Sequence, residues 1–167
     1  MPAFIDTIGF IGLGVMGEPM CGHLARRSGK TVLAHDLNPA PLGRLAEFGV
    51  KAATPQELAA RCQVILFSLP DGKAMQAVVA ELEPHLKPGQ CIVDTSTSSV
   101  AATREIGARL EAKGILFADA PVARTRDAAA TGELSIMVGA SDSTFASGAT
   151  AADVWSEPAR FTASSAT

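Results

Sequence analysis

Three glycines, Gly12, Gly14 and Gly17, punctuate the run Ile8-Gly9-Phe10-Ile11-Gly12-Leu13-Gly14-Val15-Met16-Gly17, which ends an apolar stretch and opens a helical one. This G-x-G-x-x-G spacing suits a phosphate cradle. Gly12 permits the tight turn, Gly14 lets a pyrophosphate approach the backbone, and Gly17 lets the helix lie close to the sheet. The segment from Gly12 through Leu13, Gly14, Val15 and Met16 to Gly17 is therefore the candidate cradle, where free N–H groups and the positive end of a helix dipole would face two phosphates. Taken alone, the three glycines also fit a turn kept only for packing. The next strand ends in His35-Asp36, where a carboxylate can accept hydrogen bonds from the ribose hydroxyls of an adenosine. A carboxylate there repels a 2′-phosphate and no arginine adjoins it, so the expected cofactor is NAD, with NADP disfavoured.

Other chemistry-bearing residues carry less. Cys21, Cys62 and Cys91 are odd in number and widely spaced, which makes neither a disulfide framework nor a zinc site. Reduced thiols buried in a cytoplasmic fold are the expectation. His23, His35 and His85 fall in a helix, beside Asp36 and before a turn, and no metal-ligand or Ser/His/Asp spacing emerges.

The elements that must hold the glycine turn are legible as alternation. Strands are expected at Thr7–Leu13, Thr31–Asp36, Val50–Ala53, Val64–Leu69, Cys91–Thr95, Ile115–Ala120 and Leu134–Val138. Several are apolar at consecutive positions, as in a parallel sheet covered on both faces. Thr54-Pro55-Gln56-Glu57 is a capping box with proline at the first helical position. Asn38-Pro39 opens another helix that Gly49 closes, and a third runs from Val100 to Lys113, closed by Gly114. Strand–helix alternation of this kind predicts a doubly wound α/β domain with a mostly parallel, Rossmann-like sheet. That domain is expected over residues 1–145, with a poorly ordered tail over 146–167 that is dominated by Ala, Ser, Thr and Gly.

Composition excludes some partners. With 14 Lys+Arg against 17 Asp+Glu, a net charge of −3 gives no basic surface for nucleic acid. The longest apolar run, residues 8–17, is broken by glycines and too short to span a bilayer.

Residues 12–20, Gly-Leu-Gly-Val-Met-Gly-Glu-Pro-Met, resemble the signature of the β-hydroxyacid dehydrogenases, which include 3-hydroxyisobutyrate dehydrogenase, tartronate semialdehyde reductase and 6-phosphogluconate dehydrogenase. Further blocks agree in order: Leu69-Pro70, Asp94-Thr95-Ser96-Thr97, Asp119-Ala120-Pro121-Val122 and the run from Gly132 to Gly139. The resemblance implies hydride transfer between NAD(P) and the hydroxyl-bearing carbon of a short hydroxy acid, with Leu69, Pro70 and Thr97 lining the nicotinamide half of the site. It also exposes two departures. Where relatives carry Ser-Gly-Gly to hold the substrate carboxylate, this chain has Ala123-Arg124-Thr125. The loop reads as damaged or repurposed, although Arg124 would suit a bidentate carboxylate contact. Relatives also continue into a helical domain bearing a catalytic lysine, whereas Lys30, Lys51, Lys73, Lys87 and Lys113 all precede the altered loop. No catalytic residue is assigned. The expectations are a dehydrogenase represented by its cofactor domain or, as the alternative, a truncated and inactive dinucleotide-binding module. A surface left bare by an absent domain would favour self-association.

Overall fold

The computed structural model describes residues 5–123, 125–141, 144 and 161–163. Six strands form a parallel sheet: β1 (Thr7–Ile11), β2 (Thr31–His35), β3 (Lys51–Ala52), β4 (Val64–Phe67), β5 (Cys91–Asp94) and β6 (Leu116–Asp119). Their spatial order is β3-β2-β1-β4-β5-β6, the Rossmann-type doubly wound order. Each crossover carries a helix, in turn α1 (Gly17–Arg27), α2 (Pro39–Leu45), α3 (Pro55–Arg61), α4 (Gly72–Leu82) and α5 (Val100–Glu111). Past β6 the sheet becomes mixed. β7 (Val122–Ala123), the short α6 (Arg126–Thr131) and β8 (Ser135–Ala140) follow, with β8 antiparallel to both β6 and β7.

The run of consecutive apolar residues in each central strand divides between two cores. Phe10, Leu66 and Val93 face one layer with Met20, Cys21 and Leu24 of α1. Ile65, Phe67, Ile92 and Phe117 face the other, with Leu58 of α3, Met75 and Leu82 of α4 and Leu110 of α5. Each fully buried aliphatic side chain of this kind contributes about 1.5–3 kcal/mol. Cys21, Cys62 and Cys91 are free and buried among these residues.

Helix starts follow the sequence signals. The Thr54 hydroxyl accepts from the Glu57 N–H at 3.2 Å and the Glu57 carboxylate accepts from the Thr54 N–H at 2.7 Å, the reciprocal pair of a capping box. The Asn38 side chain accepts from the Ala40 N–H at 3.1 Å ahead of α2. After α2 a 3-10 turn, Ala46–Phe48, leads to Gly49 in the left-handed region at φ +84°.

The strands are shorter than the apolar runs that announce them. β1 stops at Ile11 because Gly12 turns out at φ +94°. β2 stops before Asp36, whose carboxylate turns to accept from the Leu13 N–H. β4 stops at Phe67, where the Ser68 N–H still donates to the Ile11 carbonyl but the Leu69 N–H donates to the Ser96 hydroxyl instead of to the ladder. Several elements go beyond the sequence expectation, α4 among them. Val122–Ala123 forms β7, and Thr125, expected in a loop, caps α6 by accepting from the Ala128 N–H at 3.4 Å. Of the tail expected over 146–167, Phe161–Ala163 forms β9, parallel to β8, and the remainder lies outside the described residues. Among the described residues no helix is long and apolar enough to cross a membrane.

Replacing Thr54 by Ala removes the hydroxyl that accepts from the Glu57 N–H, leaves the backbone bond from residue 54 to the Glu57 carboxylate, and should lower the unfolding free energy by about 1 kcal/mol. Urea denaturation of the two forms measures this, with an unchanged m-value expected.

Candidate functional site

The turn between β1 and α1 is held by backbone approaches that admit no side chain. The Gly12 N–H donates to the His35 carbonyl at 3.1 Å, tying the turn to β2. A Cβ on Gly12 would overlap the Ser68 carbonyl oxygen, and one on Gly17 would overlap the Gly12 carbonyl oxygen. Gly14 differs, for a Cβ there would meet nothing within 4 Å. Two of the three glycines are thus explained by packing, and the third is not. Gly14 lies just before the start of α1, whose N-cap Met16 makes no side-chain capping bond. The N–H groups of Gly14, Val15 and Met16 have no acceptor among the described residues, so this helix start retains donors for an anion.

Asp36 is positioned by the same turn. Its Oδ2 accepts from the Leu13 N–H at 2.6 Å and its Oδ1 from the Asn38 N–H at 2.7 Å. The Leu13 N–H is therefore committed to Asp36, and the Leu13 side chain is buried, so Leu13 shapes the cradle from below. Each carboxylate oxygen still has a lone pair for a hydroxyl donor. Behind the turn, Glu18 is neutralised by a two-pronged pair with Arg44, Nε to Oε1 at 2.6 Å and Nη2 to Oε2 at 2.8 Å. The Arg44 guanidinium holds the Glu18 carboxyl below the usual range.

A cavity of about 620 Å³ lies above these residues, at the carboxyl ends of β1, β2 and β4. That is the point where the strand order reverses, the place where doubly wound folds bind ligands. Its size falls within the range of small-molecule sites. Gly12, Gly14, Val15, Met16, Gly17, Asp36, Leu69 and Pro70 all line it. Thr97 does not, and stands exposed in the β5–α5 loop. Leu37, Ala74 and Val78 also line the cavity without having been singled out by motif, and so does Pro55, which the sequence marked only as a helix start. Leu37 is 96% exposed, and an apolar residue directly after Asp36 was the available signal.

The Leu69–Pro70 lip is anchored from β5. The Leu69 N–H donates to the Ser96 hydroxyl at 2.8 Å, the Ser96 N–H donates to Asp94 Oδ1 at 3.0 Å, and the Thr95 hydroxyl donates to the Phe67 carbonyl at 2.6 Å. Burial pushes the Asp94 carboxyl above its usual range, with the bond from Ser96 and the nearness of the Ser98 hydroxyl pulling partly the other way. Burial, and then the charge of Asp94, pushes Asp119 up to about 6.

The altered loop is split between elements. Ala123 is half-buried in β7, paired with Ser135, and Thr125 is exposed and spends its hydroxyl on capping α6. Arg124 lies outside the described residues. His23 Nε2 bonds the Ala130 carbonyl at 2.8 Å, linking α1 to α6, and His35 Nδ1 bonds the Ala53 carbonyl at 3.1 Å. Among the described residues no cluster of His, Cys, Asp or Glu could hold a metal ion.

Comparison with known proteins gives a consistent picture. Residues 7–158 match the family described as the NAD binding domain of 6-phosphogluconate dehydrogenase. The chain is 38% identical over 142 residues to 2-(hydroxymethyl)glutarate dehydrogenase of Eubacterium barkeri, covering 83% of this chain and 47% of that protein. It is 36% identical over 135 residues to L-threonate dehydrogenase of Cupriavidus necator, covering 78% and 45%. The structure of Mycobacterium tuberculosis 3-hydroxyisobutyrate dehydrogenase with L-serine is similar at a TM-score of 0.82 and 33% identity, covering 91% of this chain and 51% of that one. The chain spans about half the length of the curated relatives it matches.

The glycines should separate by substitution. Gly17→Ala drives a methyl group into the Gly12 carbonyl and should destabilise the fold by about 1–3 kcal/mol. Gly14→Val should leave the thermal midpoint of the ligand-free protein within about a degree of the parent, because the added atoms enter open space. Differential scanning fluorimetry of both variants reads the contrast.

Proposed function

The chain belongs to the β-hydroxyacid dehydrogenase family, as its NAD-binding domain, and on that premise we propose that it binds NAD in preference to NADP for oxidation or reduction of a short hydroxy acid. The observation that carries the reading is the bare face of Gly14. It lies beside an uncapped helix start, inside a cavity that also contains Asp36. The residues fit the cofactor. The N–H groups of Gly14, Val15 and Met16 donate to the pyrophosphate, aided by the dipole of α1. Asp36 accepts from the adenosine ribose hydroxyls and, being anionic, disfavours a 2′-phosphate. Val15 and Leu37, both exposed, gain an apolar partner. Leu69 and Pro70 wall the nicotinamide end and exclude water from it, and Thr97 borders the same end from the β5–α5 loop. When bound, the cofactor supplies the hydride acceptor for a hydroxyl-bearing carbon, or the donor in the reverse direction.

The sequence after Ala123 and the relatives point to a carboxylate-bearing substrate. Arg124 follows Ala123 where relatives hold a carboxylate, and a guanidinium meets a carboxylate in a fork of two hydrogen bonds. The named relatives are dehydrogenases of small hydroxy carboxylates, which supports the same class here.

A second reading, dinucleotide binding without turnover by this chain, is favoured by the same loop. Ala123 offers no hydroxyl, Thr125 turns its hydroxyl oxygen to the Ala128 N–H at the start of α6, and no lysine lines the cavity among the described residues. Loss of one group that stabilises developing charge costs about a hundredfold or more in rate.

Calorimetric titration should show NAD binding more tightly than NADP. Gly14→Val should weaken NAD at least about tenfold, roughly 1.4 kcal/mol, and Asp36→Ala should narrow the difference between the two cofactors. Tighter NADP binding would overturn the assignment to Asp36. An assay with 3-hydroxyisobutyrate and glycerate at saturating NAD, beside a full-length relative, separates the two readings. The expected result for this chain alone is at least about a hundredfold less turnover. Rates within about tenfold, or 1.4 kcal/mol in barrier, would instead assign the missing charge to Arg124.

A further inference from the structure

Two carboxyl groups stand side by side at the carboxyl ends of β5 and β6. Asp94 and Asp119 are direct partners in the parallel pairing of these strands, so both side chains leave the same face of the sheet from Cα atoms about 4.8 Å apart. Ile92 and Phe117, two positions earlier on each strand, place that face in the core packed by α4 and α5. Asp94 is 0% exposed. Its two oxygens have different surroundings. Oδ1 accepts from the Ser96 N–H, and Ser96 in turn holds the Leu69 N–H. Oδ2 is buried with no hydrogen-bond partner, as is the nearby Ser98 hydroxyl.

A buried carboxylate oxygen without a donor is costly as an anion, and a second carboxylate beside it raises that cost. One proton held between the two groups removes most of it. No other described charge takes over that role. β4, β7 and β8 bring no titratable side chain, Cys91 lies at the opposite end of β5, Asp71 caps α4 from an exposed position, and Lys73 and Glu81 on α4 are exposed. On α5, Arg104, Glu105, Arg109 and Glu111 are exposed, and Arg109 pairs with Glu83. The charge acting on Asp119 is that of Asp94.

We propose that Asp94 and Asp119 share one proton and form a positioning pair, which through Ser96 holds the Leu69–Pro70 lip in place for the dinucleotide. The inference rests on the cofactor reading above for its consequence at the cavity, but not for the pair itself. The sign of its pH dependence follows from the direction of the shifts. Both carboxyls are raised in the folded state, Asp119 to about 6, so the stability they contribute is complete below the usual carboxylate range. It is lost as pH rises through about 6, where the folded pair becomes doubly charged.

The test compares the parent chain with Asp119→Asn and Asp94→Asn between pH 5 and 8, by thermal unfolding without ligand and by NADH titration at each pH. For the parent, the thermal midpoint should fall and the NADH Kd should rise at least threefold across that range. Asp119→Asn should flatten both trends and unfold at a higher temperature than the parent at pH 8. Asp94→Asn keeps an oxygen for the Ser96 N–H and should flatten them too, so a folding defect in one variant leaves the other to decide. Any contribution from His35, which also lines the cavity, persists in both variants and cancels in the comparison. Thermal profiles with the parental slope in both variants would overturn the shared proton. A flattened thermal profile with an unchanged NADH profile would overturn the coupling to the lip. Failure of the parent to bind NADH at any pH would count against the cofactor reading, and the thermal profiles alone would then support or overturn the pair.

Discussion

The close passage of two backbone carbonyls, those of Gly12 and Ser68, past two α-carbons sets the geometry on which the rest of this domain depends. Gly17 packs against the first and Gly12 against the second. Any side chain at either place would lift α1 off β1 or push the β4 loop outward, and the cavity lies between those two segments. The contact is therefore both a packing device and the dimension of the site. It also explains why α1 starts with its N–H groups uncovered. The chain turns so tightly into the helix that Met16 is already helical at the N-cap position, with φ −93° and ψ −42°, and no polar side chain precedes it to close the end.

Around that contact, strand ends are fastened by side chains bonded to backbone rather than by longer ladders. Asp36 holds the Leu13 N–H, Ser96 holds the Leu69 N–H, and Thr95 reaches the Phe67 carbonyl. Gln90 does the same at the opposite edge, donating to the carbonyls of Ala59 at 2.8 Å and Cys62 at 2.6 Å. Such bonds fix loops at a defined height above the sheet and leave their remaining groups turned toward the cavity. The site is built from loops, but each loop is tied to a neighbouring strand, so little ordering remains for a ligand to impose.

The central sheet was legible because burial on both faces writes itself into the sequence as unbroken apolar runs such as Val64-Ile65-Leu66-Phe67. Helix ends were legible because Thr54, Glu57, Gly49 and Gly114 act locally. What the spacing of Gly12, Gly14 and Gly17 alone left open was whether the turn serves a ligand or only packing, since that depends on what approaches each glycine across the fold. The pairing of Asp94 with Asp119 depends on register between strands distant in sequence, a quantity no local pattern carries. The region after β6 was least legible. A two-residue strand and a six-residue helix with three consecutive alanines give almost no periodic signal, and α6 depends on Thr125 and on the contact of His23 with Ala130.

The three thiols have a practical meaning. Burial pushes Cys21, Cys62 and Cys91 each up to about 12, which leaves almost no thiolate at neutral pH and makes the folded chain inert to alkylation and oxidation. Their locations differ. Cys21 lies on the buried face of α1, Cys62 closes α3 on the other face, and Cys91 begins β5 in the middle of the sheet. Each becomes reactive only when its own layer opens, so the order in which a thiol reagent labels them records which part of the domain breathes first.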